Sequence, residues 1–136
     1  MWYAFLADLL VALHAGYVAF VVVGQIFILL GVWLRWSWVR NVWFRLAHLL
    51  FILIVGLEAA FHIACPLTTW EDDLRRLAGQ TVEEGTFVGR LLRSAIFYNF
   101  EPWVFDVVHI SFAVLVLATF IAAPPRWRKV LKYSRR

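Results

Sequence analysis

Residues 58–79 read EAAFHIACPLTTWEDDLRRLAG. The stretch changes character in the middle. An apolar helical run carries Glu58 and His62 four residues apart and reaches Cys65. Pro66 then removes a backbone donor and is expected to end that run. Beyond it, Thr68 and Glu71 have the spacing of a capping box, with Thr68 as N-cap and Glu71 reaching back. Glu71, Asp72 and Asp73 suit the positive end of a helix dipole, and Arg75 and Arg76 the negative end. Glu71–Arg75 and Asp72–Arg76 are i,i+4 pairs with the acid first, the better order. Gly79 is placed to stop the helix. The stretch therefore predicts a membrane span that turns, at a Cys65–Pro66 hinge, into a short surface helix.

The rest of the chain supports a membrane setting. Of its 136 residues, 63% are hydrophobic, against ~45–50% in soluble domains. The reading is one integral-membrane helical domain over residues 1–136. Its start does not read as a secretory signal, because no Lys or Arg precedes the first apolar run. Crossing the hydrocarbon core takes ~20 apolar residues. Three segments meet that length, at about 3–33, 43–64 and 103–123. A single cysteine, Cys65, excludes an internal disulfide. Its blandest role is that of a small buried hydrophobe.

Charge gives an orientation. The first loop carries Arg35, Arg40 and Arg45 without an acid, and six basic residues fall in the tail from Arg126 to Arg136. The long loop over 65–102 is net acidic, with Arg75, Arg76, Arg90 and Arg93 against Glu71, Asp72, Asp73, Glu83, Glu84 and Glu101. The positive-inside rule then puts the N-terminus and the long loop outside a bacterial inner membrane, and the first loop and the basic tail (124–136) in the cytoplasm. Trp33, Trp36, Trp38, Trp43 and Trp127 would form the inner aromatic belt, and Trp2, Tyr3, Trp70 and Trp103 the outer one. The tail would attract anionic lipid. This concentration of basic residues at one membrane face argues against nucleic acid as a partner.

A second helix is expected in the long loop, over roughly 82–98. Phe87, Val88, Leu91, Leu92, Ala95 and Ile96 share one half of its wheel, and Arg90 and Arg93 lie opposite. The fold class is an all-α membrane protein of three spans with an outer helical cap over 65–102. The alternative, a four-helix membrane bundle, would place two arginines in lipid and break the charge asymmetry.

Ionisable groups within spans are costly and point to function. At 1.5 Å per residue, Glu58 and His109 lie roughly 9 Å below the outer ends of their spans. His14 reaches a similar depth, with Asp8, His62 and Asp106 nearer the outer surface. His48 lies near the inner surface and reads as interfacial. The candidate buried site is therefore His14, Glu58, His62, Asp106 and His109, with Glu58–His62 and Asp106–His109 each sharing a helix face. The hinge motif is Cys65, Pro66, Thr68, Glu71 and Arg75.

Such carboxylate–histidine pairs can ligate a transition metal, relay protons, or hydrogen-bond a quinone-like head group. His14, Glu58, His62 and His109 are the metal candidates. One haem, held by two of His14, His62 and His109, is the most the spacing supports. A purely structural polar cluster satisfies the same pattern. No phosphate loop, H-E-x-x-H or G-x-S-x-G signature occurs, so the reading leans away from an enzyme.

The stretch CPLTTWEDDLRRLAG (65–79), followed by Phe87, resembles an uncharacterised bacterial membrane-protein family catalogued as domain of unknown function 2784. His14, Phe20 and Gly24 fit its first-span pattern, His48 its second histidine, and Glu58 its glutamate seven residues before Cys65. The resemblance covers roughly residues 5–125. Val82 stands where the family has an aromatic, and His62 and His109 lie outside the pattern. The resemblance implies fold and membrane location, and shifts weight toward His14, His48, Glu58 and Cys65.

Three functions follow. One is a non-enzymatic or accessory membrane subunit, with a partner subunit or a second copy, whose polar cluster locks the helices. Another is a metal or haem redox protein. The third is a carrier or enzyme for a small lipophilic molecule beneath the cap. A cavity lined by Glu58 and His14 would favour the third, and a tightly packed core the first.

Overall fold

The computed structural model describes residues 1–127. The tail from 128 onward, with the expected lipid-binding basic cluster, lies outside the described residues. The described chain is all α-helical: α1 (Trp2–Trp33), α2 (Val42–Ala60), α3 (Pro66–Leu77), α4 (Phe87–Ile96) and α5 (Pro102–Ala122), with a single 3₁₀ turn at Trp38–Arg40. Of these, α1, α2 and α5 are long and apolar enough to cross a membrane. The loop helices α3 and α4, of 12 and 10 residues, are too short to cross at ~20 residues per span. The three-span expectation therefore stands over the four-helix one.

Capping explains several starts. The Asn41 side chain accepts from the amides of Trp43 and Phe44 and opens α2. Pro66 and Pro102 occupy the first turns of α3 and α5, where a missing N–H costs nothing. Pro66 thus begins α3 rather than ending α2, which stops at Ala60. Three helix ends close through a 6→1 bond around a left-handed residue. These are Trp36 N–H to Gly31 O past Arg35, Ile63 N–H to Glu58 O past His62, and Gln80 N–H to Arg75 O past Gly79.

Small residues set the helix spacing. Gly56 of α2 faces Ala113 of α5, where an added Cβ would lie 2.9 Å from the alanine methyl. That permits the close α2–α5 packing on which the bundle rests. Between α1 and α2, side chains bridge a wider gap. Tyr17 donates to the Phe51 carbonyl. His48 Nε2–H donates to the Val21 carbonyl at 2.8 Å. Val21, Ile52, Ala113 and Val116 form the shared core, packed by Phe20, Phe51 and Phe112.

Two sequence expectations fail at the end opposite α3 and α4. His48 is not interfacial but 1% exposed. Its ring occupies the space that Gly24 leaves open, since a Cβ there would come within 2.9 Å of His48 Cδ2. Arg45 is not a loop charge but lies in the first turn of α2, fully buried. It donates to the Thr119 carbonyl at 3.1 Å and stands over the Phe120 ring. Gln25 donates to the Thr119 hydroxyl at 2.9 Å, so this one turn of α5 ties α1 and α2 together.

A cap of α3 and α4, and the cavity beneath it

The cap is held by a charge network centred on Glu71, whose side chain is 4% exposed. Arg75 Nε–H donates to its Oε1 at 2.8 Å, and Arg90 donates to its Oε2 at 2.9 Å. Arg75 also reaches Asp8 of α1 at 3.3 Å, and Arg90 reaches Asp72 at 3.3 Å. A carboxylate shared by two guanidiniums is well matched to their fork of donors. The network joins α1, α3 and α4, and so fixes the cap over the α1 end of the bundle.

This geometry corrects the local reading of the sequence. Glu71 does not reach back in a capping box. The N-cap position of α3 is Cys65, without a side-chain capping bond, and Thr68 is buried within the first turn. The Glu71–Arg75 pair forms as expected. Asp72, however, pairs with Arg90, and Arg76 pairs with Asp73. The second cap helix is shorter than expected and starts at Phe87, where Thr86 accepts from the Gly89 amide at 3.0 Å. The Thr-x-x-Gly step after Gly85 was the available signal for that start. Its apolar stripe does not face inward throughout. Phe87 is buried, while Leu91 and Ile96 are exposed. Arg90, expected to face outward, turns in because the buried acid lies there.

Beneath the cap lies a cavity of about 720 Å³. Its walls come from α1 (His14, Tyr17, Val18, Val21), α2 (Ile52, Val55, Glu58, Ala59) and α5 (Phe105, Asp106, His109, Phe112). Its roof includes Cys65, Thr68, Phe87 and Arg93. Four of the five candidate site residues, His14, Glu58, Asp106 and His109, therefore line one space. His14 is buried and stacks on Phe87 with centroids 4.2 Å apart and planes at 19°. Its Nδ1 has no hydrogen-bond partner. His109 Nδ1–H donates to the Phe105 carbonyl at 2.6 Å.

The fifth residue, His62, does not join them. It follows the end of α2 with φ 54°, so it leaves the face of Glu58. Its side chain is largely exposed and donates to Asp106 Oδ2 at 3.1 Å. Asp106 is thereby spent on His62 rather than on His109. Among the described residues, no group of three or more His, Cys, Asp or Glu side chains is arranged to hold a metal ion. At the hinge, burial pushes the Cys65 thiol above its ordinary value of 9.0, and the neighbouring Glu58 carboxyl adds to that shift. Cys65 is therefore a neutral thiol near pH 7, not a thiolate.

Three apolar helices that close on a shared core, with a mainly apolar cavity carrying a few polar groups under a salt-bridged cap, define a small all-α membrane protein. The chain belongs to the family described as Protein of Unknown function (DUF2784), which matches residues 4–125. No curated protein and no solved structure matches it.

Proposed function

We propose that this protein is a small bacterial inner-membrane protein that binds one lipophilic small molecule in the cavity under its cap, as a carrier or accessory subunit rather than as an enzyme. The cap faces outward, and the Arg35–Arg45 end faces the cytoplasm. One observation carries this reading: the partly open space of about 720 Å³ lined by both His14 and Glu58. A cluster that served only to lock helices would be expected to bury and pair its polar groups. Here His14 Nδ1 stays unpaired, and His14 and Glu58 line a void within the ~300–1,000 Å³ range of ligand pockets whose walls are mostly apolar. Pockets of that kind take molecules with an apolar body and a few oriented polar atoms.

The test is purification from the native host in mild detergent, followed by organic extraction and mass spectrometry. Wild-type protein should carry one lipophile near stoichiometric amount. Val55→Phe, which fills the cavity wall, should lose it while keeping its helical circular dichroism. A wild-type preparation without any stoichiometric lipophile would overturn the reading. So would a Soret band or a stoichiometric bound metal.

A further inference from the structure

The two cavity histidines differ in their hydrogen bonding: His109 has a partner on Nδ1 and His14 has none. The Phe105 carbonyl can only accept, so the neutral His109 ring carries its proton on Nδ1 and leaves Nε2 as an acceptor. His14 Nδ1 is buried without a partner. An N–H without an acceptor is the costlier orphan, so the neutral His14 ring holds its proton on Nε2, a donor. One histidine can thus give a hydrogen bond and the other can take one. The flat face of the Phe87 ring is stacked on His14, and Phe105 and Phe112 also line the space. Glu58, on the α2 wall, supplies a further acceptor.

We propose that the ligand is a hydroxyaromatic lipophile of the quinol type, its ring among these aromatic side chains and its hydroxyl set between His14 and His109. This rests on the reading of the cavity as a ligand site. A phenolic hydroxyl is at once donor and acceptor and satisfies both histidines. The oxidised quinone has acceptors only. It would engage His14 and leave His109 Nε2 unmet. A site built to receive a hydroxyl rejects the analogue that lacks one. The apolar tail would run along Val18, Val21 and Ile52.

The experiment compares two probes on purified wild-type protein in nanodiscs under anaerobic conditions. They are a decyl-substituted benzoquinol and the matching benzoquinone, followed by tryptophan fluorescence quenching. The quinol should bind about tenfold more tightly, the consequence of one unmet buried acceptor. In His109→Leu that preference should collapse toward equal binding. His109→Gln, which restores an acceptor, should recover part of it. Equal binding of both probes by the wild type would overturn the head-group assignment, as would a preference that survives in His109→Leu. If neither probe binds but a native lipophile still copurifies, the head-group assignment fails and the cavity reading stands. If no lipophile copurifies either, both fail.

Discussion

His62 shows how one backbone angle redirects a side chain. It occupies the position after the α2 C-cap that glycine usually takes, with φ 54°, and a left-handed conformation costs an L-residue on the order of 1 kcal/mol. His62→Gly should therefore raise the thermal midpoint in detergent, and His62→Val should lower it. Gly79, at the equivalent place after α3, marked its helix end in the sequence. His62 did not, because the apolar residues Phe61, Ile63 and Ala64 continue the look of a span. That is why a shared Glu58–His62 face was expected and not found. Cys65 permits a second test at this scale. Its thiol value is raised in the folded state, so the folded protein keeps the proton that the unfolded chain loses as pH passes about 9. Stability from this group is complete below that pH and falls as pH rises above it. Melting curves from pH 8 to 10 should show a decline that Cys65→Ala lacks. Alkylation by iodoacetamide should be slow at pH 7.5 until the protein unfolds.

Elements meet through contacts that the sequence hides to different degrees. The spans were legible because length and hydropathy suffice to define them. Arg45 and Arg90 were misplaced because a charge by itself reads as solvent-facing. Their burial depends on acceptors 74 and 19 residues away. The Glu71 hub tests the cap directly. Glu71→Gln would leave Arg75 and Arg90 short of a buried counter-charge, and breaking such a pair costs about 3–5 kcal/mol. Limited proteolysis between α3 and α4 should then become fast, while α2 and α5 stay protected. The small-residue contact of Gly56 on Ala113 makes a separate prediction. Gly56→Val should force α2 from α5 and destabilise the bundle by about 1–3 kcal/mol, read as a lower thermal midpoint by circular dichroism.

For the whole molecule, charge asymmetry is the basis of the proposed orientation. In a Cys65→Ser background, a cysteine introduced at Gly85 should react with an impermeant maleimide on intact spheroplasts. One introduced at Ser37 should react only after permeabilisation. The gathering of His14, Glu58, Asp106 and His109 was legible from depth along the helices alone. The cavity was not, since it arises from how far apart three helices stand. Nor was the pairing of Asp106 with His62. The network that pins the cap has a consequence for biosynthesis. Asp8 and Arg75 lie 67 residues apart, whereas Gln25 and Thr119 lie 94 apart. A chain emerging from the ribosome can therefore clasp α3 against α1 before α5 exists. The third wall, with Phe105 and His109, is added last. Any molecule destined for the cavity must either wait for the finished chain or be enclosed as that last helix docks.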